Sequence, residues 1–326
     1  MTRTALVYLV FLGLLLAAPF AVYPVLVMKI LCFALFACAF NLLLGFTGLL
    51  SFGHAAFLGA GGYIAGYTLL RLGLTPELGL LAGTLAAALL GWVFGALAIR
   101  RQGIYFAMIT LALAQMVYFF CLQAPFTGGE DGLQGVPRGK LFGLLNLQPA
   151  PGQPEYVIYY VALAIFLLGF ALIYRTIHSP FGQVLKAIRE NEPRALSLGY
   201  DVDRYKLLAF VLSAGLAGLA GALKTLVLGF ATLTDVHWQT SGEVVLMNLV
   251  GGVGTMLGPV IGAGVIVALE NELADKVGPW VTVIVGAIFV VCVLLFRRGI
   301  VGELAARLKP KATAEAQRTQ RTGATS

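Results

Sequence analysis

The sequence predicts an all-α polytopic membrane protein of about eight transmembrane helices plus a Gly-rich re-entrant or broken-helix hairpin. Composition comes first: of 326 residues, 59% are hydrophobic and 11% charged, where soluble domains carry roughly 25% charged and 45–50% apolar residues. Mean hydropathy is +0.90. Apolar windows of bilayer-spanning length, roughly 17–25 residues, recur along the chain. Glycine supplies 40 residues, an excess suited to close helix contacts and broken helices.

Taken in order, the windows fall at 5–22, 25–46, 49–70, 78–99, 103–123, 156–174, 207–229 and 281–296, with an interrupted apolar stretch at 244–269. The first, after Arg3, reads as a span or as a cleaved signal segment, although it lacks a clear A-x-A site. Lys and Arg set the orientation. Arg175, Lys186, Arg189, Arg194, Arg204 and Lys206 lie in 175–206, and Arg297, Arg298, Arg307, Lys309, Lys311, Arg318 and Arg321 follow the last window, so both regions belong on the cytoplasmic side. The acidic, Gly- and Pro-rich 124–155 stretch is then an outer, periplasmic loop. Residues 1–310 form one membrane domain, and 311–326 read as a polar, disordered cytoplasmic tail.

Parity constrains the stretch 230–297. Asp235, Glu243, Glu270, Glu272 and Asp275 outnumber Lys276 there, which places both ends of 244–269 outside and predicts a re-entrant hairpin. Its tip is the run GGVGTMLGP, Gly251 to Pro259, where flexible backbone lets the chain turn back at depth. A second Gly-interrupted run, NLLLGFTGLLSFGHAAFLGAGGY from Asn41 to Tyr63, lies in the other half. Paired interruptions point to a translocation path. Its candidate lining is Asn41, Gly45, Gly48, Ser51, His54, Glu243, Asn248, Gly251, Gly252, Gly254, Gly258 and Pro259.

The residues offer no fuel for transport. Ion-driven carriers keep ionisable groups inside the bilayer, whereas the 15 carboxylates fall outside the middles of the predicted spans, with Glu243, Glu270 and Glu272 at helix ends. Lys29 and Lys224, near outer span ends, are expected to snorkel to the interface. His54 reads either as a neutral imidazole bonded to a carbonyl freed by the helix break, or as a gate or substrate contact. No GxxxxGK[ST] motif occurs, and Gly139-Lys140 is followed by Leu141, so this chain holds no ATP site or other cofactor. Cys32, Cys38, Cys121 and Cys292 sit in apolar runs without metal-ligand spacing and read as small core residues. The basic clusters flank apolar segments and present no nucleic-acid platform.

The long inner loop, 179–206, reads as a docking element. Ser179 caps a helix begun by Pro180, with Val184, Leu185 and Ile188 as its apolar stripe. A second short helix starts at Pro193, behind Asn191 or Glu192, and stops at Gly199. An amphipathic loop lying on lipid headgroups is the alternative.

At these stretches the chain resembles the LivM-type permease subunits of bacterial branched-chain amino acid ABC importers. The Asn41–Tyr63 run, FGQVLKAIRENEPRALSLG with YKLLAFVLSAGLAGLAGAL, SGEVVLMNLVGGVGTMLGPVIGA and the outer TGGEDGLQGVP carry the likeness. The resemblance implies an inner-membrane permease paired with a LivH-like subunit, two cytoplasmic ATPases that bind ATP and Mg, and a periplasmic substrate-binding protein. It implies an ATPase-docking segment comprising Gly182, Ala187, Arg189, Glu190, Asn191, Glu192, Ala195 and Gly199. One departure stands out: against the EAA-x3-G pattern of ABC-importer loops, aligned on Gly199, this chain has Pro193, Arg194 and Ala195. Branched-chain amino acids are the default solute; urea or another small solute, or a self-contained channel or secondary carrier, are the alternatives. An intramembrane enzyme would need Ser51 paired with His54.

Overall fold

The computed structural model describes residues 3–143, 145–148 and 155–277, scattered positions between 280 and 290, and 299–308. The helices are α1 (Arg3–Ala21), α2 (Pro24–Leu44), α3 (His54–Leu70), α4 (Pro76–Ala98), α5 (Ile104–Gln123), α6 (Tyr156–His178), α7 (Pro180–Glu190), α8 (Glu192–Ser197), α9 (Val202–Leu228), α10 (Trp238–Gly251), α11 (Gly258–Val277) and α12 (Gly299–Leu308). Five of them, α2, α4, α5, α6 and α9, are long and apolar enough to cross a bilayer among the described residues. The architecture is an all-α membrane bundle, and the described residues hold five of the eight windows as single long helices of this kind. The window at 281–296 lies largely outside the described residues, as do Cys292 and the tail from 309.

Two helices occupy the centre. Most residues of α2 from Val27 to Leu43 are buried, as is most of α9 from Ala209 to Val227. Small residues let the backbones close up. A Cβ on Gly61 of α3 would strike Gly218 of α9, one on Gly221 would strike Leu58, and one on Gly91 of α4 would strike Ala214. In apolar surroundings such packing, rather than water expulsion, drives helix association.

The third window is not one helix. Residues 45–53 form a turned connector, with Gly48 at φ +80°, and α3 begins only at His54. The interrupted stretch is two helices: α10 starts at Trp238, ahead of the apolar window, and residues 252–257 break the helix before α11. Gly252 at φ +118° and Gly254 at φ +78° make this turn, a backbone that L side chains rarely adopt. The break falls inside the predicted tip, but the hairpin does not turn back at depth. Its tip reaches the end of the bundle occupied by α7, where Arg189 lies beside Gly254.

At the opposite, far end, residues 124–143 and 145–148 form two short 3-10 turns, packed on α3 and α5, and a two-stranded ribbon, β1 (Lys140–Leu141) and β2 (Leu145–Asn146), with β1 against α4. Leu133 pairs with Ala231. Arg138 bonds Glu155 at 2.7 Å and the carbonyl of Val227 at 2.7 Å. Cys32, Cys38 and Cys121 are buried and free.

Candidate functional site

The two glycine breaks meet at the α7 end. Asn41, 3% exposed near the end of α2, donates from Nδ2 to the Thr255 carbonyl at 2.8 Å. Its Oδ1 accepts the Gly254 N–H at 2.9 Å. One side-chain amide therefore satisfies both faces of the α10–α11 turn, whose backbone groups have no helical partner. Thr255 braces the turn from within: its hydroxyl donates to the Gly252 carbonyl at 2.7 Å and accepts the Gly258 N–H at 3.1 Å. A Cβ on Gly45 would overlap Asn41 and Gly254, and one on Gly251 would overlap Gly258. Pro259 follows in the first turn of α11, where its missing N–H costs no helical bond.

Above this junction sits α7. Ser179 caps it, accepting from the Gly182 N–H at 3.4 Å, and Leu185 and Ile188 are buried beneath it while Val184 packs at their edge. Asn191 caps α8, accepting from Arg194 N–H at 3.1 Å, and Gly199 closes it at φ +85°. Arg189, though exposed, reaches inward: its guanidinium donates to the Gly45 carbonyl, and its stem packs on Gly48. With Phe46, Lys186, Glu190 and Gly254 it lines an open cavity of about 400 Å³. Asn41, Gly45, Gly48, Gly254 and Arg189 are thus brought together. Ala187, Glu190, Asn191 and Gly199 are exposed, while Gly182 and Ala195 are buried. Glu192 is held by Lys206 at 2.6 Å and by Gln102 at 2.9 Å, tying α8 to α9 and to the α4–α5 turn.

Mid-bundle, the broken start of α3 is capped by other helices. Phe52 N–H donates to Thr110 of α5 at 3.2 Å, and Ala55 N–H to Ser241 of α10 at 2.9 Å. The Ala55 N–H is one of the orphan donors any helix start leaves. His54 is fully buried, edge-on to Phe40, Phe57 and Phe210. Its Nε2 lies 2.9 Å from Ser213 Oγ, which itself donates to the Ala39 carbonyl at 2.6 Å. The hydroxyl proton is committed to Ala39, so Nε2 carries the ring proton and Nδ1 is a buried acceptor with no partner among the described residues. The imidazole thus reaches a backbone carbonyl only through Ser213. Ser51 accepts from Gly53 N–H instead, and the Ser51–His54 pair an enzyme would need does not form. Asn248, fully buried, donates to the carbonyls of Ala37 at 3.2 Å and Val244 at 2.8 Å.

Three charge placements differ from expectation. Lys224 does not snorkel: it is 7% exposed, paired with Asp235 and set 5.7 Å from the Phe33 ring centre. Asp235 folds back over the end of α9 and neutralises it in place. Glu243 and Glu270 are not at helix ends: α10 extends N-terminally to Trp238, which places Glu243 inside it and away from the glycine junction, and α11 continues past Glu270 to Val277. Sequence reasoning also missed Ser213 and Thr110, whose partners are distant in the chain, and Thr255, which bonds within its own turn.

A bundle of long apolar helices, interrupted at two glycine breaks that meet under an amphipathic surface helix, defines a polytopic membrane permease. The chain belongs to the family described as branched-chain amino acid transport system / permease component, whose model matches residues 25–294. It is 29% identical to the high-affinity branched-chain amino acid transport system permease protein LivM of Escherichia coli (strain K12), over 83% of this chain and 68% of that one. Identity and coverage are the same for LivM of Salmonella typhimurium. It is 27% identical to the autoinducer 2 import system permease protein LsrC of Salmonella choleraesuis, over 68% of this chain and 60% of that one.

Proposed function

We propose that this chain is a permease subunit of an ABC importer in the bacterial inner membrane. It carries branched-chain amino acids inward beside a LivH-like subunit, powered by two cytoplasmic ATPases and supplied by a periplasmic binding protein. Residues 179–199 dock the ATPases, 124–155 face the periplasm, and the C-terminus is cytoplasmic. ATPase closure pushes α7, and Arg189 passes the displacement to the connector at Gly45 and to the hairpin tip at Gly254. Two packed elements with alternative arrangements are what such a push requires.

The observation that carries this reading is the Arg189–Gly45 bond, since it joins the docking segment to both glycine breaks at one point. The test is uptake of labelled leucine by the full complex in liposomes. Arg189→Ala is expected to keep ATP hydrolysis while uptake falls at least tenfold; uptake at the wild-type rate would refute the coupling role. The LsrC likeness favours a second reading, a permease of this family for another small solute. A complex that ignores leucine, isoleucine and valine but accumulates a different solute selects it.

A further inference from the structure

The connector between α2 and α3 runs beside the start of α5, since the Phe52 N–H reaches Thr110, six residues into that helix. Between them lies an open cavity of about 440 Å³, a size within the roughly 300–1,000 Å³ of small-molecule sites. Gly48, Leu49 and Leu50 form one wall, and Ile104, Met108 and Leu111 of α5 the other. No lining residue has a polar side chain, so the polar groups that the cavity presents are backbone. Among the described residues, no carbonyl from Gly48 to Phe52 accepts a backbone hydrogen bond, and the N–H groups of Gly48, Leu50 and Ser51 donate none. Non-helical backbone in a membrane domain persists only where protein satisfies it or water reaches it.

A second observation extends the cavity along α5. Ile104, Met108 and Leu111 lie four and three residues apart, on one stripe of the helix, and the next position of that stripe is Gln115. Gln115 stands near the middle of the span, is part-exposed and makes no hydrogen bond among the described residues. A carboxamide facing hydrocarbon without a partner is costly, so this stripe faces water or another polar surface rather than lipid. The cavity also adjoins the Arg189 contact, because a Cβ on Gly48 would meet the Arg189 stem at 3.1 Å. We infer, on the transport reading above, that the cavity is a stopping point on the solute path for an aliphatic α-amino acid. The free carbonyls and N–H groups of the connector take its ammonium and carboxylate, as unwound backbone does in other transporters. Leu49, Met108 and Leu111 take its side chain, the flexible thioether adapting to branched shapes, and Gln115 continues the wet path toward the far end.

The test uses the full complex in liposomes with its binding protein. In a background lacking the native cysteines, a water-soluble maleimide should label Met108→Cys at least tenfold faster than Leu85→Cys, which sits on the bare face of α4. Leucine with the binding protein should slow the labelling of Met108→Cys at least threefold. Leu111→Trp, which fills the cavity, and Gln115→Leu, which makes the stripe apolar, should each lower leucine uptake at least fivefold, and Gln115→Asn, which keeps the amide, should recover most of it. Met108→Cys labelled no faster than Leu85→Cys, whether lipid or a partner helix covers it, overturns this inference alone. Labelling that leucine does not slow, or uptake within twofold of wild type in both Leu111→Trp and Gln115→Leu, does the same. A wild-type complex that accumulates no amino acid overturns both this inference and the transport reading.

Discussion

Asn41 offers the sharpest test of how the hairpin tip is held. Replacing it with Ala removes the acceptor for Gly254 N–H and the donor for the Thr255 carbonyl, bonds of 2.9 and 2.8 Å. Neither group has a helical substitute, since Gly254 and Thr255 lie in the break between α10 and α11. Leaving a buried polar group unpaired costs about 1–3 kcal/mol. Taking about 1.5 kcal/mol for each of the two, the closed tip loses about 3 kcal/mol, which raises the opened population roughly 100-fold. Met256, part-way exposed in the same turn, reports opening. With Met256→Cys in a background lacking the native cysteines, labelling by a water-soluble maleimide should speed up by about two orders of magnitude on adding Asn41→Ala. Asn41→Asp keeps the acceptor and loses the donor, so its rate should fall between the two. A change below threefold in Asn41→Ala would show that the tip is closed by something other than this amide.

Ser213→Ala strands the Nε2–H of His54, and should cost about 1–3 kcal/mol; an unchanged thermal midpoint of the purified complex would refute the relay. Among glycines, Gly251→Ala should prevent correct assembly, because its Cβ would overlap the backbone of Gly258, whereas Gly242→Ala should be tolerated because its Cβ meets open space. Equal yields of the two variants by size-exclusion chromatography would contradict the hairpin packing.

What the sequence revealed was what depends on neighbours in the chain. The Gly251–Pro259 run marks a break because positive φ is a local demand, and Ser179 and Asn191 cap the helices that begin directly after them. What it hid depends on distant partners. His54 meets Ser213, the start of α3 is capped by Ser241, and Lys224 finds its counter-ion only because the chain reverses after Gly229. The misplacement of Glu243 has a related cause: α10 begins in the polar run from Trp238 to Gly242, which a hydropathy window passes over. Arg189 was legible as part of the docking loop, but its inward reach is set by the tertiary position of Gly45.

The interlocked glycines of α3, α4 and α9 bear on how the molecule deforms. Backbones already in contact at Gly61 and Gly218, and at Leu58 and Gly221, leave no gap into which either helix could slide. In the proposed transport cycle these three helices would act as a stator. Motion would then fall to the parts joined to it by hydrogen bonds rather than by interpenetrating backbone, namely the α10–α11 arm and the connector after α2, so that the proposed cycle would exchange a few polar contacts while the densest part of the molecule stays still.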